Sequence, residues 1–220
     1  MSIRPFRISV PDSAVADLHE RLDRTRWPRI ADETVWGHGI PLGFMKEVTE
    51  YWRHRFDWPA QEAKLNAWPQ FVADAGVEVH FIHVRGRGPN PTPLLLLHGF
   101  PDSFYRYHQV IDRLTDPARF GGDPGLSFDV VVPSFPGTGF SAAVTLDLRG
   151  DADLMAHLMN RVLGYSRFVV AGGDRGALVA QELARRHPDL VRGFHVTDVG
   201  YPDQTTDFNA LTPAELEMAQ

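Results

Sequence analysis

The segment that most constrains the fold runs from residue 167 to residue 181 and reads RFVVAGGDRGALVAQ. A short apolar strand ends there in the five residues GGDRG, at 172–176, and a helical pattern begins at once. The central residue of so sharp a strand-to-helix turn has a strained backbone, so its neighbours have to be small. Gly172 and Gly176 meet that condition. The segment therefore predicts a turn that raises Asp174 above a sheet.

The residue on this predicted turn is an aspartate, where such turns usually carry a serine. The helix that follows directs its positive end at the turn, and that field favours an ionised carboxylate. An ionised carboxylate can attack carbon, so Asp174 is a candidate nucleophile for chemistry other than that of an esterase. The alternative is that Asp174 only caps the helix. The glycines at 172 and 176 favour the nucleophile.

Strand and helix patterns alternate after residue 75. Strands are predicted over 77–83, 93–97, 128–132, 168–171 and 190–199, and helices over 103–114, 150–163 and 176–186. This order predicts an α/β fold with a mostly parallel sheet and helices on both faces. Functional residues of such sheets gather at the carboxyl ends of the strands.

Residues 1–70 are rich in aromatic side chains and have helical spacing. One helix is predicted to start at 11–13 and to end at 26–28, and a second spans about 42–56. The five tryptophans all fall in this region, at positions 27, 36, 52, 58 and 68. We interpret them as parts of a packed helical layer rather than as a ligand site.

Composition excludes several classes of protein. The 220 residues carry a net charge of −6 with no basic run, which argues against a nucleic-acid partner. There are no cysteines, so disulfides and cysteine-ligated metals are excluded. The N-terminus has no signal-peptide core, and no apolar run reaches the length of a membrane span. We expect a soluble, cytoplasmic protein with no membrane partner, no cofactor and no metal.

Two further motifs follow predicted strands. The first is HGFPDS at 98–103, and the second is PSFPGTGFS at 133–141. We expect the backbone amides of Phe100 and Arg175 to form an oxyanion hole. The residues expected to line the substrate pocket are His98, Gly99, Pro101 and Phe135, with His98 structural rather than catalytic. The 137–139 stretch lacks the ending of a phosphate loop and is expected to shape the cavity.

With these motifs the sequence resembles the epoxide hydrolases of the α/β-hydrolase superfamily, in particular the microsomal-type group. Segments similar to that group's N-terminal domain lie at 5–8, 17–28, 51–58, 62–66 and 80–83. The core motifs at 98–101, 136–141 and 172–176 are similar as well. The resemblance implies an α/β-hydrolase fold with a helical N-terminal domain. It divides the chain into an N-terminal domain with the first strands, 1–90, and a partial core, 91–220, whose last residues, 200–220, begin a lid.

The resemblance also implies a reaction. Asp174 opens an epoxide and forms an alkyl–enzyme ester, and lid tyrosines protonate the ring oxygen. A water activated by a histidine, itself oriented by an acid, then cleaves the ester and releases a vicinal diol. The implied partners are a small-molecule epoxide and water.

The sequence departs from the family in two ways. The family usually has tryptophan after the nucleophile, where this chain has Arg175. That arginine resembles the substrate-holding arginine of fluoroacetate dehalogenases, although their second arginine would fall at Leu178. A haloacid dehalogenase is therefore one alternative.

The second departure is length, since the family's histidine, acid and lid tyrosines would lie beyond residue 220. We expect the lid and the last strands to be missing, so that the chain is a fragment, part of a split enzyme or a non-catalytic binding protein. An exposed last strand would then favour pairing with a second chain or copy. Of the remaining candidates, His187 is expected at the surface and His195 in the core. Asp198 stands near a strand end where some α/β-hydrolases place their acid.

Overall fold

The computed structural model describes residues 2–30, 33–198, 208–210 and 212–214. The chain forms two compact units. One is Arg7–Trp68, and the other joins Met1–Phe6 to Pro69–Gln220. The predicted domain boundary at residue 90 stays a prediction, and most of the predicted lid segment lies outside the described residues.

The Arg7–Trp68 unit is helical, as predicted. It contains α1 (Asp12–Asp23), a 3-10 helix (Trp36–His38), α2 (Leu42–His54) and α3 (Trp58–Leu65). The predicted layer is less closely packed than expected, because α1 has no buried residue and the Trp36 side chain is 63% exposed. The apolar side chains of α1 and α2 instead border an open groove of about 610 Å³.

The other unit is built on a sheet whose seven described strands lie in the order β1-β2-β3-β5-β4-β6-β7. The strands are β1 (Ile3–Phe6), β2 (Gln70–Asp74), β3 (Glu78–Val84), β4 (Thr92–Leu97), β5 (Phe128–Pro133), β6 (Phe168–Gly172) and β7 (Val191–Val196). The pairings β1–β2, β2–β3 and β3–β5 are antiparallel. The pairings β4–β5, β4–β6 and β6–β7 are parallel.

The α/β architecture is confirmed, but the sheet is mixed rather than mostly parallel. The antiparallel part arises because β2 and β3 are joined by a short connection, which allows only a hairpin. β1 also adds a strand from a stretch predicted to be helical. The parallel part follows the prediction, since β4 lies between β5 and β6 and the direction of strand addition reverses beside it.

Helices of this unit are α4 (Ile111–Thr115), α5 (Leu148–His157) and α6 (Arg175–Arg186). A π-helical turn, Leu158–Val162, extends α5. The predicted helix at 103–114 is split into a 3-10 helix, Phe104–Tyr107, and α4. Among the described residues, no helix combines the length and the apolar character that a membrane crossing requires.

The core of this unit is formed by the sheet together with α5 and α6. Its fully buried side chains include Leu95, Leu97, Met155, Phe168 and Leu183. Leu97 pairs with Gly172 at the carboxyl ends of β4 and β6. The loops that follow these two strands therefore leave the sheet side by side.

Candidate active site

The turn between β6 and α6 presents one carboxylate. Asp174 has φ 55° and ψ −130°, and it is the one non-glycine residue with positive φ in the described part of the chain. Such a conformation costs about 1–3 kcal/mol and persists where the surroundings impose it. The Asp174 side chain makes no capping hydrogen bond of the usual kind, to the amide of the second or third residue of α6, and the residue is exposed. The geometry therefore does not support the alternative that Asp174 is only a helix cap.

Close approach of the backbone explains the small residues around this turn. A Cβ on Gly176 would overlap the carbonyl oxygen of Leu97, at the end of β4. A Cβ on Gly99 would lie 2.6 Å from both the Cβ and the Oδ1 of Asp174. The expectation of small neighbours at the turn is confirmed for Gly176 and also for Gly172, where a Cβ would overlap the Gly176 carbonyl oxygen. The loop after β4 adds a further such position at Gly99.

Two backbone amides act on the Asp174 carboxylate. The Phe100 N–H donates to Asp174 Oδ1 at 2.8 Å. Hydrogen bonding to the amide of Arg175, and then to that of Phe100, lowers the pKa of Asp174, and the positive charge of Arg106 acts in the same direction. The carboxyl group is thus ionised at neutral pH. These are the two amides that the sequence nominated as an oxyanion hole, and both lie at the carboxylate.

The segment after β7 holds the main chain of the same turn. Asp198 Oδ2 accepts the Asp174 N–H at 2.7 Å and the Thr197 hydroxyl at 3.0 Å. Asp198 was considered above as a catalytic acid. Its observed contacts are with the backbone of the turn and with Thr197.

The Arg175 side chain is engaged by α5. Its Nε and Nη2 donate to Asp151 Oδ2 at 3.1 and 2.5 Å, and Nη2 also donates to the Leu146 carbonyl at 3.0 Å. The guanidinium lies 5.6 Å from the centre of the Phe135 ring. The Asp151 side chain is 1% exposed, and burial raises its pKa while Arg175 opposes that rise. Sequence analysis did not identify this partner of Arg175.

His98 and Phe135 are both buried. The Phe135 N–H donates to His98 Nε2 at 3.3 Å, and His98 Nδ1 lies 2.8 Å from the Gly99 carbonyl oxygen. The two rings pack edge to face, 5.0 Å apart. Burial lowers the pKa of His98, which fits the neutral ring that these contacts require. His98 therefore braces the loop after β4, in line with the expected structural role.

An open cavity of about 470 Å³ lies beside this loop. Its lining residues are Phe100, Pro101, Asp102, Ser103, Gly137 and Thr138. Gly137 and Thr138 contribute to the wall, and Pro101 lies in the lining, although its assignment to a substrate pocket stays a prediction. His98, Gly99 and Phe135 are not among the described residues that line it, and their assignment to a substrate pocket stays a prediction.

Two further histidines were candidates from the sequence. His187 follows the last residue of α6, about 18 Å along the helix from Asp174, and its Nε2 lies 2.7 Å from Asp153 Oδ1. His195 was expected in the core, and that expectation is wrong. It is exposed because β7 has no second neighbouring strand in the described part of the sheet. Over the same residues, no cluster of three or more metal-ligating side chains is present.

Comparisons with known proteins identify the family of the chain. The family model "Epoxide hydrolase N terminus" matches residues 3–107, and the model "alpha/beta hydrolase fold" matches residues 92–217. A relative from Stigmatella aurantiaca is 40% identical over 225 residues, which cover 99% of this chain and 51% of the relative. Epoxide hydrolase 1 of Oryctolagus cuniculus is 38% identical over 89% of this chain and 44% of its own length.

Solved structures of epoxide hydrolases are similar to this chain as well. The epoxide hydrolase of Aspergillus niger superposes with a TM-score of 0.79 at 29% identity, over 99% of this chain and 58% of that one. The chain thus spans about half the length of the curated relatives it matches.

Proposed function

The chain belongs to the epoxide hydrolases of the α/β-hydrolase fold, and from this premise we propose that Asp174 opens an epoxide ring as a nucleophile. One observation carries the proposal. The turn after β6 keeps Asp174 in a strained conformation, exposes its carboxylate and aims two backbone amides at it. A carboxylate that only capped the helix would need neither the strain nor the exposure.

The first step forms an ester. A carboxylate oxygen of Asp174 attacks a ring carbon, the bond between that carbon and the ring oxygen breaks, and the oxygen leaves with the electron pair. That alkoxide takes up a proton, which in the family comes from lid tyrosines. Of the groups needed, this chain supplies the nucleophile and keeps it ionised.

The second step releases the diol. Water attacks the carbonyl carbon of the ester, and negative charge develops on the other carboxylate oxygen. The N–H groups of Phe100 and Arg175 are placed to stabilise that oxyanion, because they act on the Asp174 carboxylate already. The collapse of this intermediate breaks the bond between the carbonyl carbon of Asp174 and the ester oxygen. That oxygen leaves with the alkyl group and takes up a proton, which gives a vicinal diol and restores the Asp174 carboxylate. The histidine and the acid that activate the water are implied by the family resemblance.

The dehalogenase alternative requires Arg175 to hold a substrate carboxylate. Its guanidinium is instead shared between Asp151 and the Leu146 carbonyl. Releasing it would leave Asp151 as an unpaired carboxylate in a buried position, which is costly. This arrangement favours epoxide chemistry over binding of a halo-acid.

The test uses the half-reaction, because ester formation needs no activated water: it needs the nucleophile and a proton for the ring oxygen, which a buffer near neutral pH can supply. The chain is incubated with an aryl epoxide, digested and analysed by mass spectrometry. We expect an adduct on the peptide that contains Asp174, and no adduct in Asp174→Asn. The matched control is Asp189→Asn, which removes an exposed carboxylate beyond the other end of α6 and should label like the unmodified chain.

Two results would contradict the proposal. One is a folded chain that acquires no label over a range of epoxides. The other is a label that persists in Asp174→Asn, which would identify a different nucleophile.

A further inference from the structure

Arg106 places a positive charge beside the nucleophile turn, and nothing in the mechanism above uses it. The residue lies on the 3-10 helix Phe104–Tyr107, which follows β4. The Tyr107 hydroxyl donates to the Leu97 carbonyl at 2.7 Å and so fastens this helix to the end of the strand. The position of Arg106 relative to the sheet is thereby fixed.

One end of the Arg106 guanidinium is held by a carboxylate. Its Nη1 donates to Asp102 Oδ2 at 2.8 Å, and the two side chains are 38% and 28% exposed. Both residues belong to the loop and helix after β4, so the pair orients the guanidinium without linking distant parts of the chain. A partly buried charge is screened less by salt than a fully exposed one.

The other end of the guanidinium reaches the turn itself. A Cβ on Gly173, the residue before Asp174, would lie 2.6 Å from Arg106 Nη2 and 2.5 Å from Thr197 Oγ1. The guanidinium therefore packs against the backbone that carries the nucleophile. Thr197 contacts Asp198, whose carboxylate accepts the Asp174 N–H.

The position of Arg106 matters because several charged groups lie around Asp174. The titratable and charged groups that face the turn come from the end of β4, the 3-10 helix, the start of α6 and the end of β7: His98, Asp102, Arg106, Tyr107, Arg175 and Asp198. His98 is buried and neutral, and Arg175 is paired with Asp151. Among the described residues, Arg106 is thus the cationic side chain whose charge lowers the pKa of Asp174, on a turn to which the Asp198 carboxylate is also hydrogen-bonded.

We propose that Arg106 is a positioning residue: oriented by Asp102, it keeps a positive charge against the backbone of the turn and so holds the Asp174 carboxylate in its anionic, attacking form. This inference rests on the proposed function of Asp174. Arg106 does not contact the reacting atoms. It acts through its charge, and it supplements the two backbone amides, whose effect on Asp174 is larger.

The experiment measures the ionisation of Asp174 directly. Carboxyl carbon NMR of the full chain is followed from pH 7 to pH 2, with Asp174 assigned by comparison with Asp174→Asn. In Arg106→Gln we expect the Asp174 midpoint to rise by about 1 pH unit, the lower end of the effect of one nearby opposite charge, because Arg106 is the smallest of the influences on this carboxylate. Arg106→Lys keeps the charge and should restore most of the difference.

Matched variants keep the result interpretable. Arg113→Gln removes a neighbouring arginine that lies over the Phe120 ring, and it should leave the Asp174 midpoint unchanged. Should Arg106→Gln fold poorly by circular dichroism, Arg106→Met provides a neutral side chain of similar length. An Asp174 midpoint that is the same in the folded neutral variants as in the unmodified chain would overturn the inference, and so would an equal shift in Arg113→Gln.

The pH dependence of epoxide labelling separates this inference from the proposed function. If the unmodified chain does not label, the nucleophile assignment fails while the NMR comparison still decides the role of Arg106. If the chain labels, Arg106→Gln should lose labelling at a higher pH than the unmodified chain and keep its rate above pH 6. An identical pH profile in both would contradict the inference alone.

Discussion

Gly99 determines how closely the loop after β4 can approach the nucleophile, because it has no Cβ. Its Cα faces the Asp174 side chain so closely that a Cβ would lie 2.6 Å from two atoms of that residue. The adjoining Phe100 amide is one of the two donors to the carboxylate. The distance between the two loops is therefore set at Gly99.

We predict that Gly99→Ala lowers the rate of Asp174 labelling by an epoxide at least about ten-fold, because the methyl group displaces either the carboxylate or the Phe100 amide, and one such donor contributes this much or more to catalysis. Labelling is quantified by mass spectrometry under single-turnover conditions. Gly193→Ala on β7 is the control, since a Cβ there would contact nothing within 4 Å. Unchanged labelling in a folded Gly99→Ala variant would refute the prediction.

A second expectation at this scale concerns pH. Because the Arg175 and Phe100 amides lower the pKa of Asp174, its anionic form persists into acid. The labelling rate should stay level from pH 8 to pH 5 and fall only below about pH 4, the ordinary range for an aspartate. A rate that already declines between pH 7 and pH 6 would mean that another group controls the reaction.

What could be predicted at the residue scale depended on sequence proximity. The turn at 172–176 and the loop at 98–101 each contain their own signature, so Asp174, Phe100 and the Arg175 amide could all be nominated as candidates. Asp151 was missed, although it lies on the buried face of its helix. It stands three and four residues before Leu154 and Met155 of α5, and seven before Leu158 of the π-helical turn. An acid on such a face needs a cationic partner, and this pattern was available in the sequence.

At the scale of elements, α5 and α6 are joined by the Arg175–Asp151 pair. The carboxylate is almost fully buried, and its Oδ1 has no hydrogen-bond partner within the described part of the chain. Arg175 is also the first residue of α6, so this pair ties the start of the helix behind the nucleophile to α5.

We predict that Arg175→Met destabilises the fold by about 3 kcal/mol, because it leaves a buried carboxylate unpaired. The free energy of unfolding is measured with urea at pH 8. The double variant Arg175→Met/Asp151→Leu should recover most of the loss, since replacing both charges removes the unpaired ion. Equal instability of the single and double variants would show that the pair is not responsible.

The same single variant also tests the direction in which stability changes with pH. Burial already raises the pKa of Asp151, and removing Arg175 takes away the opposing charge. A group whose pKa is raised on folding contributes more stability as it becomes protonated. Arg175→Met should therefore lose part of its deficit, relative to the unmodified chain, on going from pH 8 to pH 5.

Prediction of elements succeeded where hydrophobic periodicity was strong. The strands of the parallel region and α6 are close to their predicted positions, because continuous apolar runs and a clear helical face define them. β1 was not predicted, since four residues that include Pro5 give no alternation. Proline is acceptable there because β1 is an edge strand of the described sheet.

At the scale of the whole molecule, His80 is a buried residue that connects three parts of the sheet unit. Its Nδ1 lies 2.9 Å from Ser134 Oγ and its Nε2 lies 2.9 Å from Gln70 Oε1, so β3 is linked to β2 and to the loop after β5. Burial lowers the pKa of His80 to about 4. The folded protein therefore holds this ring neutral at pH values where the unfolded chain protonates it.

We predict that acid destabilises the fold through this residue. Because the folded pKa lies below the unfolded value of about 6.5, the stabilisation is complete above pH 6.5 and is lost as the pH falls to 4, by on the order of 3 kcal/mol. Urea unfolding at pH 7, 5.5 and 4 measures the loss. His80→Gln should show a shallower dependence on pH, whereas His195→Gln, at an exposed position, should follow the unmodified chain.

The pairing of Phe6 with Gln70 has a consequence for how the chain can be rearranged. Everything from Arg7 to Trp68 leaves the sheet from one strand and returns to its immediate neighbour, so the two ends of this stretch are held a few ångströms apart. Such a stretch can be exchanged as a unit. A tight reverse turn in its place would join β1 and β2 into a hairpin, and the equivalent segment of a relative could be inserted at the same two points. Neither change requires a different order of the other strands.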